Sequence, residues 1–298
     1  MNEKKVLMFA GKGGVGKTTC AGATALHYAR RGEKTLLIST DPTPSLSHLF
    51  EVERARGPTK VAENLYLAEL GPTEIRQMWE RKFGPEVYEV FSSFVDIGYE
   101  EFTDFVTSIL PGLGEEFMVD YIRELSHSAD YERLIWDTAP LGQTLGLLRM
   151  PALLRQHLRA APRIYSRLKF GERSRRPLLE ILKSWEELST LDIEFLRHEV
   201  AFWLVTIPEG LAVQQLQEIF SEFEKFGFRF ARLIINNVIQ KPDSGFLLQK
   251  AEEQRNYLEA LRQNHHGLEP IEVPLFPHEI KGTGRLEEVR RALFPDHG

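Results

Sequence analysis

The strongest constraint on the fold is a loop of four glycines and two lysines, residues 11–19, which reads GKGGVGKTT. An apolar run precedes it directly, at residues 6–10, and residues 18–31 carry apolar side chains at helical spacing. These patterns predict a strand, a glycine-rich turn and a helix, which is the setting that the motif GxxxxGK[ST] requires. We therefore expect a phosphate-binding site at this turn.

Each position of the loop has a chemical role in such a site. Glycines let the backbone bend and turn its N–H groups toward phosphate, and the helix N-terminus adds its positive end. Lys17 can reach the outer phosphates of ATP, and the Thr18 hydroxyl is suited to Mg²⁺. The residues expected to bind ATP here are Lys12, Gly13, Gly14, Val15, Gly16, Lys17, Thr18 and Thr19. Because the motif requires only one lysine, Lys12 needs a separate explanation.

Strand and helix patterns alternate along the rest of the chain. Further candidate strands are residues 34–40, 65–69, 134–136, 201–207, 233–236 and 271–273, and helical patterns include 212–226 and 246–265. The alternation predicts an α/β fold with a mainly parallel sheet and helices on both faces. We expect a single P-loop domain over residues 1–298, with a helical subdomain inserted at about 72–130 and 152–196.

Polar residues follow several of these strands, where ligands bind in such folds. Asp137 closes the apolar strand RLIWD and is the carboxylate expected to support a magnesium ion. Asp41 follows the second strand in STDPTPS, where Pro42 and Pro44 disfavour helix. Its carboxylate can either orient or deprotonate an attacking water, or cap the turn that follows, and the residues support both alternatives equally.

Composition excludes several classes of protein. The net charge of −6 does not favour nucleic acid as a partner. No apolar run reaches the ~18 residues of a membrane helix. The N-terminus enters a strand directly, so we expect a cytoplasmic protein. The single cysteine, Cys20, permits no intrachain disulfide, and the sequence has no Cys/His cluster with zinc spacing.

Longer motifs resemble one known family. The lysine after the first glycine resembles the deviant loop of the signature-lysine P-loop ATPases. The segments STDPTPSLSHLF, PGLGEEF and IWDTAPLGQTLGLLRMP are similar to the arsenical-pump ATPase (ArsA) and tail-anchored-protein targeting ATPase family. The resemblance continues through WLVTIPEG, LIINNVI and VPLFPHEIKGTGRLEEV, nearly to the end of the chain. Two positions depart from the family, which usually has histidine where Pro44 and Gln143 stand.

The resemblance implies a role for the extra lysine. Lys12 would point across a two-fold interface to the nucleotide of the other subunit and neutralise phosphate charge, as an arginine finger does. A homodimer is therefore implied. By the same resemblance, Asp41 activates water, while Thr18 and Asp137 hold Mg²⁺. The implied further nucleotide contacts are Glu209, Asn236 and Pro274, and the implied switch positions are Asp41, Pro42, Asp137 and Gln143.

The number of cysteines distinguishes among the kinds of protein that the resemblance implies. Nitrogenase iron protein needs thiolates from each subunit for its cluster, and only Cys20 is available. Arsenical-pump subunits use cysteine thiolates for arsenite, and zinc-bridged members of the targeting branch use CxxC. Neither set of cysteines is present in this chain.

The inserted material carries two further patterns. Residues 86–110 form an amphipathic helical pattern whose apolar face includes Phe91, Phe94, Phe102 and Phe105. That face is either ordinary core or, by the resemblance, a groove for an apolar helix of a client protein. Residues 155–183 are basic, which indicates either a solvated helical face or a contact with an acidic partner, lipid or nucleic acid.

Three functions remain open from the sequence. The first is a homodimeric ATPase switch that couples its nucleotide state to binding of a hydrophobic client or a membrane-protein partner. The second is an ATPase subunit that energises export of arsenite or another anion. The third, a partition-type ATPase acting on DNA, is supported only by the basic stretch.

Overall fold

The computed structural model describes residues 4–41, 45–92, 98–100, 113–139, 141–165, 178–263 and 267–295. The chain divides into two compact units. The first contains residues 1–71, 126–144 and 199–298, and the second contains residues 72–125 and 145–198. The second unit covers much of the sequence of the expected helical subdomain, whose independent status stays a prediction.

The first unit is built on an eight-stranded sheet. Its strands are β1 (Val6–Gly11), β2 (Thr35–Ser39), β3 (Thr59–Ala62), β4 (Leu65–Glu69), β5 (Arg133–Asp137), β6 (Val200–Thr206), β7 (Phe230–Val238) and β8 (Pro270–Pro274). They lie in the order β3-β4-β2-β5-β1-β6-β7-β8, and every neighbouring pair is parallel except β3 and β4. The predicted α/β fold with a mainly parallel sheet is confirmed.

Helices connect and flank the strands. In the described part of the chain they are α1 (Lys17–Arg30), α2 (Leu46–Phe50), α3 (Pro72–Ser92), α4 (Leu113–His127), α5 (Leu141–Tyr165), α6 (Leu178–His198), α7 (Gly210–Lys225), α8 (Gly245–Gln263) and α9 (Gly282–Leu293). Helices α3 and α6 belong to the second unit, α4 lies in it as far as Leu125, and α5 begins in the first unit and continues into the second. No helix within the described ranges is long and apolar enough to cross a membrane.

The core of the first unit fixes both sides of the glycine loop. Residues 6–10 of β1 are at most 2% exposed, and this strand lies between β5 and β6 in the sheet. The helix that follows the loop, α1, buries the small residues Ala21, Ala23 and Ala25 completely, which lets the helix approach the sheet closely. Burying a large side chain such as Phe9 contributes about 1.5–3 kcal/mol. The loop therefore joins two buried elements.

A buried ionic cluster joins three helices of the second unit. Lys82 on α3 contacts Asp120 and Glu124 on α4. Arg123 on α4 donates to Asp120 over 2.5 Å and to Asp192 on α6 over 2.6 Å. Burial raises the pKa of Asp192 to about 7, although its hydrogen bond to Arg123 acts in the opposite direction. Two buried carboxylates therefore share one guanidinium.

The proposed client face falls largely beyond the described structure. Phe94, Phe102 and Phe105 lie outside the described residues, and the side chain of Phe91 in α3 is not described. Residues 166–177 of the basic stretch also lie outside them. Both hypotheses about these segments stay predictions.

Candidate functional site

The turn between β1 and α1 depends on glycine at Gly16. Its φ of 92° is left-handed, and a Cβ atom added there would lie 2.2 Å from Nδ2 of Asn236. That Nδ2 atom donates a hydrogen bond to the carbonyl of Val15 over 2.9 Å. The end of β7 is thus fastened to the loop, in a space that a side chain at Gly16 would fill. Whether Asn236 also contacts adenine stays a prediction.

Lys17 is folded over its own loop. Its Nζ atom donates to the carbonyl of Lys12 over 2.9 Å, and the residue is only 6% exposed. Burial lowers the pKa of Lys17, while the nearby charges of Asp137 and Asp41 act to raise it. The loop therefore holds a buried lysine ammonium group at the position from which a phosphate-loop lysine reaches the outer phosphates.

Asp137 is the polar centre of the site. It is fully buried at the end of β5, where its Oδ2 atom accepts from Thr18 Oγ1 over 2.9 Å and from Ser39 Oγ over 3.2 Å. Burial raises the pKa of Asp137 to about 6, against the effect of these hydrogen bonds and of Lys17. Its Oδ1 atom is buried without a hydrogen-bond partner in the described structure.

The donor set around Asp137 fits a magnesium ion. An unpartnered carboxylate oxygen beside a threonine hydroxyl offers the hard oxygen ligands that Mg²⁺ prefers. The described residues contain no group of three or more His, Cys, Asp or Glu side chains that could hold a metal. Mg²⁺ in nucleotide sites is commonly bound by one or two protein groups together with phosphate and water.

Asp41 is tied to this centre through Ser39. Its backbone N–H donates to Ser39 Oγ over 3.3 Å, two residues after the end of β2. The alternative that Asp41 caps the following turn is not supported. Helix α2 begins after Ser45 at its N-cap position, and the carboxylate that accepts its first N–H groups belongs to Glu69.

Glu69 is a residue of this region that the sequence reasoning missed. It ends β4, is 3% exposed, and accepts the backbone N–H groups of Ser45 and Leu46 over 2.7 Å each. The available signal was a carboxylate closing an otherwise apolar strand, the pattern that singled out Asp137. The identity of its partners could not be read from the sequence, because they depend on the order of the strands.

A cleft opens beside the glycine loop. Its lining includes Thr18 and Thr19 from α1, Asn236 from β7, and the apolar Leu275 and Phe276 that follow β8. A cleft next to a phosphate loop that is lined by both apolar and polar side chains has the character expected for a nucleotide base.

Two of the expected nucleotide contacts lie apart from that lining. Pro274 ends β8 directly before Leu275, and the lining involves its neighbours instead. Glu209 lines a different hollow, with Gln254 and Tyr257 of α8. The nucleotide roles of both residues stay predictions.

The structure describes only part of the remaining predicted site residues, which are Lys12, Gln143 and Pro42. Lys12 is half-buried, and within the described part of the chain no carboxylate forms an ion pair with it. Gln143 lies in the first turn of α5, but its side chain is not described, and Pro42 lies outside the described residues. Their switch roles, and the action of Lys12 on a second subunit, stay predictions.

Comparison with known proteins identifies the family. A sequence model of the anion-transporting ATPase family, ArsA_ATPase, matches residues 4–295. A protein of Aquifex aeolicus named as an arsenical pump-driving ATPase is 28% identical over 300 residues, which cover 97% of this chain and 99% of that protein. ATPase GET3A of Arabidopsis thaliana is 28% identical over 315 residues, covering 98% and 85%. The ASNA1 homolog of Dictyostelium discoideum is 26% identical over 299 residues, covering 95% and 87%. The chain therefore belongs to the anion-transporting ATPase family and is an ATPase.

Proposed function

We propose that this protein is a cytoplasmic, homodimeric ATPase that couples its nucleotide state to binding of a hydrophobic helical client. The observation that carries the proposal is that Asp137 is hydrogen-bonded both to the phosphate loop and to the strand end before Asp41. This one carboxylate accepts hydrogen bonds from Thr18 of the phosphate loop and from Ser39, which itself binds the backbone of Asp41. A change in the phosphates at the loop can therefore reach the segment after β2.

The residues of the site suit ATP hydrolysis. Lys17 carries positive charge to the phosphates, and Asp41 orients or deprotonates the attacking water. Thr18 and Asp137 would hold Mg²⁺, which supplies charge neutralisation at the phosphate oxygens when it is bound. Lys12 would complete the charge balance from the other subunit of the dimer.

The choice of client rests on the single cysteine and on the relatives. Cys20 is fully buried, and burial raises the pKa of its thiol to about 12. Arsenite binding through cysteine needs an accessible thiolate, which this residue does not supply. The relatives named GET3 and ASNA1 support a targeting ATPase, in keeping with the resemblance to ATPases that target tail-anchored proteins.

Anion export is the second candidate. It is favoured by relatives that are named as arsenical pump-driving ATPases, at similar identity and coverage. The partition-type alternative has no support beyond the basic stretch, and the net charge of −6 does not favour nucleic acid.

Peptide binding in defined nucleotide states tests the proposal. Asp41→Asn should bind ATP yet hydrolyse it ~100-fold more slowly, because the amide keeps the shape but loses the base. This variant with ATP, and the wild type with ADP, are each mixed with a labelled apolar helical peptide of about 20 residues. Fluorescence anisotropy should report binding in one state and markedly weaker binding in the other.

Variants of the amphipathic segment separate a groove from a core. At least one of Phe94→Ser and Phe102→Ser should keep near-normal ATPase activity while losing the peptide. If the face is core, loss of either ring should cost about 3–5 kcal/mol of stability instead. Unfolding of both variants, or the absence of peptide binding in every nucleotide state, contradicts the client proposal. Stimulation of the wild-type ATPase by arsenite without peptide binding would favour the anion pump.

A further inference from the structure

Three polar residues lie side by side at the carboxyl ends of three neighbouring strands, where the site is located. Ser39 of β2 is the register partner of Asp137 on β5 and of Glu69 on β4. All three are at most 3% exposed. Asp137 is explained by the phosphate loop and Ser39 by its bonds to Asp137 and Asp41. Glu69 has no role in the chemistry proposed above.

Two members of this row, Ser39 and Glu69, bind the two ends of the segment between β2 and α2. Ser39 Oγ accepts the backbone N–H of Asp41, at the start of the segment. Glu69 Oε1 accepts the backbone N–H groups of Ser45 and Leu46, at its end. Both ends of the segment are therefore hydrogen-bonded to side chains, Ser39 and Glu69, that are register partners on neighbouring strands. A carboxylate that accepts two N–H groups at a helix start forms charge-assisted bonds, which are stronger than neutral ones.

The end of the segment held by Glu69 also approaches the phosphate loop. Ser45 Oγ lies 3.5 Å from Thr18 Oγ1, the hydroxyl that donates to Asp137. A displacement of the Ser45 backbone would therefore move a side chain that touches the expected magnesium ligands. The hydrogen bonds of the Glu69 carboxylate in the described structure go to the Ser45 and Leu46 backbone, so its effect on Thr18 passes through Ser45.

We propose that Glu69 is a positioning residue, whose carboxylate holds Ser45 against Thr18 and so fixes the Mg²⁺ and water side of the ATP site. The inference rests on the proposed function, because it assigns Glu69 to the segment that carries Asp41. Outer residues that orient metal ligands typically change metal affinity by about 10–100-fold when they are replaced.

The test uses a graded pair of variants and a matched control. Glu69→Gln keeps an oxygen acceptor but loses the charge, and Glu69→Ala removes the acceptor. The control is Glu33→Gln, another carboxylate of the first unit, whose Oε2 accepts from Arg133 over 2.9 and 2.7 Å. Glu33 lies before β2, away from the segment after that strand.

Two readouts distinguish positioning from general stability. Hydrogen exchange of nucleotide-free protein should show faster exchange at the Ser45 and Leu46 amides in Glu69→Ala, with a smaller change in Glu69→Gln. The Mg²⁺ concentration needed for half-maximal binding of a fluorescent ATP analogue should rise about 10-fold in Glu69→Ala and less in Glu69→Gln. Glu33→Gln should lower the unfolding temperature and leave both readouts as in wild type.

Several results would overturn the inference. The inference is wrong if folded Glu69→Ala shows wild-type hydrogen exchange at Ser45 and Leu46 and a wild-type Mg²⁺ requirement. It is also wrong if Glu33→Gln raises the Mg²⁺ concentration for half-maximal binding as much as Glu69→Ala does. If Glu69→Ala does not fold, Glu69→Gln decides, and wild-type values in both readouts count against positioning. Full hydrolysis by Asp41→Asn would instead contradict the role of Asp41 in hydrolysis, and absence of peptide binding in every nucleotide state would contradict the proposed function. Slow hydrolysis by Asp41→Asn together with wild-type behaviour of the Glu69 variants would overturn only the positioning role.

Discussion

At the scale of single residues, the site is specified by close contacts that only certain side chains allow. Gly14 and Gly16 both have left-handed backbone angles, with φ of 78° and 92°. Only Gly16 has an atom of another residue within reach of an added Cβ, namely Nδ2 of Asn236. Glycine is therefore needed at Gly14 for its backbone angle, and at Gly16 for both its backbone angle and the closeness of Asn236.

This difference predicts unequal costs of substitution. Gly14→Ala should lose roughly 1–2 kcal/mol of stability, since the left-handed backbone is its only penalty. Gly16→Ala should lose more, because its methyl group would also displace the Asn236 amide and its bond to Val15. Urea unfolding of the nucleotide-free proteins measures both. Equal losses in the two variants would contradict the reading of Gly16.

Much of the site could be predicted from local sequence, and the remainder could not for a topological reason. Thr18 and Asp137 follow from the loop motif and from a strand that ends in a carboxylate, and the structure brings them within 2.9 Å. Glu69 follows from neither, because its contact with Ser45 exists only since β4 lies next to β2. Contacts of this kind depend on strand order, which local patterns do not encode.

At the scale of elements, burial decided which predictions succeeded. The central parallel strands β1, β2, β5 and β6 are buried throughout and appear in the sequence as apolar runs, and their predicted bounds differ from the structure by at most one residue. Strand β3 was not predicted, because its residues TKVA are half-buried to exposed at the sheet edge and carry no apolar run. The ionic cluster of the second unit was also not foreseen, since Arg123 and Asp192 are 69 residues apart.

That cluster predicts an unusual pH dependence of stability. The pKa of Asp192 is about 7 in the folded protein, against 3.8 for a free side chain. Between these values the folded state holds a proton that the unfolded state releases, so this group lowers stability as pH rises from 4 to 7. The charged groups that bear on it are Arg123, Asp120 and Lys82.

Asp192→Asn should therefore gain stability relative to wild type as pH rises. We expect the difference in unfolding free energy, variant minus wild type, to be more positive at pH 8 than at pH 5. Urea unfolding at both values measures it. Asp243→Asn, on an exposed loop carboxylate, serves as the control and should give the same difference at each pH. A pH-independent difference for Asp192→Asn would contradict the assigned pKa.

At the scale of the whole molecule, the proposed ATPase chemistry requires two subunits that share each site. The sequence carries one phosphate loop with two lysines, and the family match covers residues 4–295. Lys17 has a place in its own loop, through its bond to the Lys12 carbonyl. Lys12 is half-buried in the same loop, and its action on the phosphates of another subunit is the part of the proposal that needs a direct test.

Mixed dimers test this central claim most directly. Lys12→Ala and Asp41→Asn chains should each be nearly inactive alone. In a mixed dimer, the Lys12→Ala subunit keeps Asp41 and would receive its lysine from the Asp41→Asn partner. Random mixing of equal amounts makes half of the dimers mixed, each with one complete site, so about a quarter of wild-type activity should return. Differently tagged chains show by copurification whether mixed dimers form.

A double variant provides the matched control. Chains that carry both Lys12→Ala and Asp41→Asn are mixed with equal wild-type chains. If Lys12 acts on the partner's nucleotide, mixed dimers have no complete site and about a quarter of wild-type activity should remain, whereas action within one subunit would leave about half. If Lys12 acts on the partner's nucleotide, ATPase activity should recover in the first mixture, and about one quarter of wild-type activity should remain in the second. The role of Lys12 on the partner subunit is contradicted if the first mixture shows no recovery and the second keeps about half of wild-type activity, with mixed dimers present in both.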